Sequence, residues 1–356
     1  MTDVFDTLGT IGIEEEFYVV DSETLLPVDA SDDMLDDPPG HLDDHIGTEL
    51  FKFVMEVMSE KCWSLKEARS EIYEKRNELK SYSRSYGYEV LGAGLHPAAE
   101  WMEYNHIEKP RYVDQLERLQ YPQQRNITCG LHVHVGMDDA EKAVWVCDEI
   151  RRYLPLFLAL SSNSPFWCGF DTGLKSGRAL VFENLPNTGM PSRWGSWSNY
   201  RKFEERMVEE GFVEDPGELW WDVRPNTTHG TVEVRSPDSQ VDAESTYAFV
   251  VLIYRIAMQL ADMYERGVEE TGMQREALDQ NKWRALRYGY GASFFDPEYG
   301  VVDVDEFLDE AIEFGGLTGE EVVLVGDCFG GVSDAELQIK AYESDGLKEA
   351  CEVLRL

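Results

Sequence analysis

The chain has 356 residues, 43% of them hydrophobic and 12% aromatic, with 9 Trp. That is enough apolar material for a filled core, and it excludes a disordered chain. Acidic residues outnumber basic ones 69 to 32, for a net charge of −37 at pH 7, which leaves no basic stripe for a nucleic acid or an anionic membrane.

The acidic excess runs through the whole chain and is densest at residues 29–44, where there is no Lys or Arg. Self-repulsion at this charge is relieved by concentrated salt, so the composition points to a halophilic setting. The 6 cysteines are scattered, with no C-x-x-C pair. Asp3 and Asp6 stand at the N-terminus where a signal peptide would have an apolar stretch. The expectation is a cytoplasmic protein with free thiols. The longest apolar run, residues 247–254, is too short to span a bilayer.

In chain order, residues 11–20 read as a strand and residues 21–47 as an Asp/Pro-rich loop broken at Pro38-Pro39-Gly40. Residues 49–59 read as a strand. Residues 65–86 have apolar positions at helical spacing, with Ser64 as N-cap. Residues 90–95 read as a short strand, 111–119 as a helix and 128–135 as a strand. Residues 139–160 read as helix interrupted near Pro155. Residues 161–197, rich in Gly, Pro, Ser and Asn, read as a long functional loop. Helices are expected at 198–210 and 243–266. Strands are expected at 220–223 and 231–236, joined by a turn at 225–230. The last third reads as helical and acidic. No internal repeat interrupts this pattern, and the expected architecture is a single α+β domain over 1–356, with antiparallel strands and helices packed outside.

Three of these strands carry unusual polar faces. Residues i and i+2 of a strand share a face. Glu14, Glu16 and Tyr18 therefore lie on one face of the first strand, and Ile13, Glu15, Phe17 and Val19 on the other. In Leu131-His132-Val133-His134-Val135 both histidines share one face. In Thr231-Val232-Glu233-Val234-Arg235, Glu233 and Arg235 share one face. If these faces meet on one curved sheet, they make a cluster suited to divalent cations. Mg²⁺ and Mn²⁺ prefer hard oxygen ligands, and paired ions can bridge the phosphates of ATP. An arginine beside them stabilises the charge of a transferred phosphoryl group. Zinc is disfavoured, because no further Cys or His stands at zinc-finger spacing. Glu15 falls on the apolar face, which calls for an ion pair or a bulge.

Gly12-Ile13-Glu14-Glu15-Glu16-Phe17 resembles the opening motif of the glutamate–cysteine ligase type 2 family, which includes carboxylate–amine ligases. Further matches follow in order: Glu49-Leu50 through Glu56, Gly94-Leu95-His96-Pro97, Cys129 through Gly136, Asn163-Ser164-Pro165-Phe166-Trp167, Asp171-Thr172-Gly173, Ser176-Gly177-Arg178, Val223-Arg224-Pro225, Gly230 through Asp238, and Asn281-Lys282-Trp283-Arg284-Ala285. The series spans about residues 10–295, and its acidity fits a haloarchaeal member.

The resemblance implies a glutamine synthetase-like catalytic fold, in which a curved antiparallel sheet forms a funnel with ATP at one end and the amino acid at the other. It implies that the γ-carboxylate of glutamate becomes an acyl phosphate, which the amine of cysteine then attacks to give γ-glutamylcysteine. Glu16 and Glu56, with or without Glu49, would hold one Mg²⁺ or Mn²⁺. Glu14, His132 and Glu233 would hold a second. His134 and Arg235 would face the phosphates, and Arg178 and Arg224 would face phosphate or a substrate carboxylate. Glu49 and Glu56 are seven apart and cannot share a face of one regular strand, so either a bulge or turn separates them or only Glu56 is a ligand. Three other functions are compatible with the cluster: a carboxylate–amine ligase with another amine acceptor; a two-metal hydrolase, which would need neither Arg235 nor Arg178; and a non-catalytic metal-binding protein, which would not need the Gly/Ser/Asn-rich segment 161–197.

Overall fold

The computed structural model describes residues 4–269 and 272–356. Seven strands form the main sheet: β1 (Ile11–Asp21), β2 (Ile46–Thr48), β3 (Val54–Met58), β4 (Tyr88–Leu91), β5 (Leu131–Gly136), and two that follow the small β6 (Phe166–Trp167) and β7 (Phe170–Asp171) pair, namely β8 (Val223–Asn226) and β9 (Thr231–Val234). Their order is β2-β3-β1-β5-β9-β8, with β4 also pairing β1 beyond the end of β5. Every pairing is antiparallel. With helices outside, this is the α+β architecture expected. A second small sheet joins β10 (Ser293–Phe295) to β11 (Val301–Asp303).

The register explains why the polar faces merge. Directly opposed residues share a face. Glu16 stands opposite Glu56 and Glu14 opposite His132. His134 stands opposite Glu233, which also stands opposite Arg224. One polar face therefore runs unbroken from β3 to β8. The reverse face carries Ile11, Ile13, Leu131, Val133, Val135, Val232 and Val234, all buried in the largest core cluster. The helix Ala243–Glu265 covers it and also packs on the helices Leu65–Ser85, Ala140–Ile150, Val304–Gly315 and Glu320–Phe329. By length and apolarity this helix could cross a membrane. Its apolar surface is accounted for by those neighbours.

Glu15 points to the covered side and is matched there. Arg76 Nε lies 3.0 Å from Glu15 Oε2, and the Thr246 hydroxyl donates to Oε1 at 2.9 Å. The pairing of β1 with β3 continues in register through Glu14, Glu15 and Glu16, so the ion pair and not a bulge accommodates this carboxylate. Tyr18 shares the polar parity but is fully buried beyond the site, its hydroxyl donating to Ile127 O at 2.6 Å.

Several boundaries differ from the sequence pattern. Residues 49–59 are not one strand: β2 and β3 form a hairpin that turns at Phe51–Phe53. The expected strand 220–223 instead begins at Val223 and includes Pro225. The described partner of β8 is β9, on one side only, and an edge strand tolerates a residue without an N–H. The break near Pro155 is a 3₁₀ turn at Arg151–Tyr153, after which Pro155 sits in the first turn of Leu154–Leu160, where its missing donor is harmless. The loop 161–197 also contains a short helix, Gly177–Phe182. At the free edge of β4, Gly92 N–H donates to Leu354 O at 3.0 Å and Leu356 N–H to Val90 O at 3.1 Å.

Candidate active site

The hairpin resolves the parity of Glu49 and Glu56. Gly47 stands opposite Glu56, and Glu49 lies two residues beyond Gly47, so both carboxylates project from the same face. Three clusters result, each with its ligand-type atoms within 4.8 Å of one another: Glu16, Glu49 and Glu56; Glu14, Glu56 and His132; and Glu14, His134 and Glu233. The expected grouping of Glu14, His132 and Glu233 is not among them. His132 falls with Glu56, and Glu233 falls with His134, which was expected to face phosphate. Glu14 lies between the two rings, 2.9 Å from His132 Nδ1 and 3.2 Å from His134 Nε2.

The clusters differ in charge. Burial and the charge of Glu16 push the Glu49 carboxyl up to about 8, although Arg111 and Arg235 oppose this. Burial, with Glu49, Glu14 and Glu16 nearby, raises Glu56 well above the ordinary range. At the other end, Glu14 is held well below it: burial opposes the shift, but the His134 charge and hydrogen bonds from both histidines win. Glu233 is also held low, where Arg224 and Arg235 overcome its burial. The Glu49–Glu56 end therefore carries repelling carboxylates with too little protein charge to balance them. His132 Nε2 is buried there with no hydrogen-bond partner. An unpartnered imidazole nitrogen beside hard oxygen donors fits a divalent cation of the Mg²⁺ or Mn²⁺ type.

The arginines divide into two kinds. Arg224 is committed to the protein: Nε and Nη2 grip Glu233 at 2.7 and 3.1 Å, and Nη1 donates to the carbonyls of Gly217 and Leu219 at 2.8 and 3.0 Å. Arg235 pairs with Glu233 through Nη1 and reaches His132 Nδ1 at 3.4 Å, while its Nε has no partner. Arg178 reaches the carbonyls of Arg235 and Ser236 at 3.3–3.4 Å, and its Nε is likewise unpartnered.

A polar cavity of ≈ 430 Å³ is lined by Glu14, Glu16, Glu49, Glu56, His132, Arg178, Arg224 and Arg235. Its lining also includes Lys109, Arg111, Tyr112 and Gln123, which no sequence pattern singles out. Gln123 Oε1 is buried without a partner. A second cavity of ≈ 210 Å³ is lined by Ile11, Gly12, Ile13, Met58, Lys61, His134 and His229, among others. Glu14 lines both cavities. Cys129 adjoins the site, but burial pushes its thiol well above the ordinary range, so it offers no thiolate.

The chain matches the model of the family described as glutamate–cysteine ligase family 2 over residues 10–311. It is 47% identical to the glutamate–cysteine ligase of Haloferax volcanii, over 99% of this chain and 98% of that protein. It is 46% identical to that of Natronomonas pharaonis, over 98% and 96%. Among solved structures, the glutamate–cysteine ligase of Francisella tularensis in complex with AMP superposes with a TM-score of 0.69 at 12% identity, covering 98% of this chain and 88% of that one. A bifunctional glutathione synthetase from Pasteurella multocida gives 0.68 at 14% identity, covering 98% and 52%. The structural likenesses establish the fold. With near-complete alignment to the haloarchaeal relatives and the family match across the whole polar face, the chain belongs to glutamate–cysteine ligase family 2.

Proposed function

We propose that this chain joins the γ-carboxylate of L-glutamate to the amine of L-cysteine using ATP. The γ-carboxylate oxygen attacks the γ-phosphorus, the bond to the bridging oxygen breaks, and ADP leaves. The cysteine amine then attacks the γ-glutamyl phosphate carbonyl, phosphate departs, and the amine loses a proton. The products are γ-glutamylcysteine, ADP and phosphate. The observation that carries this reading is the position of Glu14. It belongs to two ligand clusters and borders two cavities, as a reaction joining a nucleotide and an amino acid across metal ions requires.

In this reading the smaller cavity takes the nucleotide and the larger one the amino acids, with Lys109 and Arg111 supplying positive charge for their α-carboxylates. Glu16, Glu49 and Glu56 would hold one Mg²⁺ or Mn²⁺. Glu14 with Glu56 and His132, and Glu14 with His134 and Glu233, offer further positions. The bound ions would neutralise phosphate charge and polarise the transferred group. Arg235 and Arg178, whose Nε donors are unspent, would stabilise the developing phosphoryl charge. Arg224 is assigned to Glu233 and not to phosphate. The chain would work as one catalytic domain, and its 6 free cysteines suit a reducing cytoplasm.

The test is an amine-acceptor screen with glutamate and MgATP, following ADP release and product mass. Cysteine should give γ-glutamylcysteine and ADP in equal amounts. Preference for another amine would overturn the assignment of cysteine. ADP release without glutamate would overturn the ligase reading.

A further inference from the structure

Asp238 is fully buried and does not line the larger cavity. Its carboxylate accepts hydrogen bonds from the Ser164 hydroxyl at 2.6 Å, the Asn163 N–H at 3.0 Å and the Ser176 hydroxyl at 2.9 Å. These partners come from two separate motifs of the 161–197 segment. Both lead to Arg178. Ser176 stands at the N-cap of the short helix that carries Arg178, yet its hydroxyl makes no cap and is turned to Asp238 instead. The Arg178 N–H, left without that cap, donates to Ser164 Oγ at 3.1 Å. The guanidinium Nη1 lies 3.9 Å from Asp238 Oδ1, beyond hydrogen-bond distance.

The surroundings are fitted to this pair. A Cβ on Gly94 would stand 2.6 Å from Asp238 Cγ, and one on Gly130 would stand 2.1 Å from Arg178 Nη2. Motifs around residues 94, 130, 163, 176 and 238, far apart in the chain, thus close on one carboxylate and one guanidinium.

We propose that Asp238 is the positioning residue for Arg178, holding it through Ser164 and Ser176 without itself hydrogen-bonding the guanidinium, whose Nη groups donate to backbone carbonyls and whose Nε stays free. The contrast with Arg224 gives the reason. A carboxylate that grips a guanidinium directly uses up its donors, as Glu233 does. Asp238 fixes the backbone and the helix start, supplies a counter-charge from 3.9 Å, and leaves Nε unpartnered. The proposal rests on the proposed function above, in which Arg178, lining the larger cavity, stabilises the transferred phosphoryl group.

The experiment is a double-mutant cycle on the full chain, with kcat, each KM and the melting midpoint measured for Asp238→Asn, Arg178→Lys and the pair. Asp238→Asn should lose about tenfold or more in the same kinetic constant that Arg178→Lys loses. The double variant should be within about threefold of Arg178→Lys alone, because coupled residues do not add. Full multiplicative losses, or wild-type constants in Asp238→Asn beside a crippled Arg178→Lys, overturn the positioning role alone. Wild-type constants in Arg178→Lys overturn the assignment of Arg178 to the chemistry, and the proposal with it. If Asp238→Asn does not fold, Ser176→Ala removes a single hydrogen bond from the same carboxylate. It should show a smaller loss in that constant, absent in the Arg178→Lys background; no loss, or an equal loss in both backgrounds, overturns the proposal.

Discussion

Arg224 grips Glu233 with two guanidinium nitrogens, at 2.7 and 3.1 Å, from the directly opposed position on the neighbouring strand. Glu233 has no exposure to water. Breaking a buried pair by removing one partner leaves the other charge unmatched. Arg224→Gln should therefore destabilise the fold by about 3–5 kcal/mol, measured by denaturant unfolding. A loss below about 1 kcal/mol, the value of an exposed pair, would show that Arg235 and Asn226 satisfy the carboxylate without it.

Arg235→Lys tests the other kind of arginine. Lysine keeps the charge near Glu233 but loses the planar fork. Stability should change little, while kcat falls by roughly two orders of magnitude or more, as for other donors aimed at developing charge. Added Mg²⁺ or Mn²⁺ should not restore it. Glu233→Gln should behave differently, with weakened apparent metal affinity and partial recovery at high metal. Near-native kcat in both variants would remove this strand from the chemistry.

Glu49 gives a pH dependence with a definite sign. Its carboxyl titrates near 8 in the folded chain and near 4.3 when unfolded. Between those values the folded state binds the extra proton, so without metal its contribution to stability falls as pH rises. Glu49→Gln removes that cost. In chelator, the variant should be more stable than wild type at pH 8, by on the order of a few kcal/mol, and the gap should close toward pH 5. Mg²⁺ should stabilise wild type more than the variant at pH 8. A gap independent of pH would mean the carboxylates do not repel.

Salt should act through the surface. A net charge of −37 is repulsive at low ionic strength. The melting midpoint should rise steadily from dilute buffer to molar KCl. A flat or falling midpoint would sever the acidic composition from salt adaptation.

The alternation in β1, β5 and β9 makes the polar face legible from residue order alone, because a strand has only two faces and these sequences put carboxylate or imidazole on one of them. The merging of those faces follows from register, which antiparallel pairing supplies. Glu49 is ambiguous in the sequence for a physical reason: parity within one strand says nothing about parity across a turn. Lys109, Arg111 and Gln123 leave no periodic trace, since a helix start and a four-residue helix, Tyr121–Gln124, place them by tertiary packing. Arg224 reads as a ligand contact because its partner, nine residues away, is recognisable only once the hairpin is closed. Asp238 stands within a motif, but the hydroxyls that gather around it come from segments more than 60 residues away.

The seam formed by Leu354 and Leu356 along β4 has a consequence for biosynthesis. Strand Tyr88–Leu91 meets β1 on one side early in translation, but its outer hydrogen-bonding edge is satisfied by residues made some 260 positions later. Until they emerge from the ribosome, that edge is an open template for pairing with another nascent chain. The window of exposure to misassembly therefore opens once β4 is made and lasts until residues 354–356 can dock.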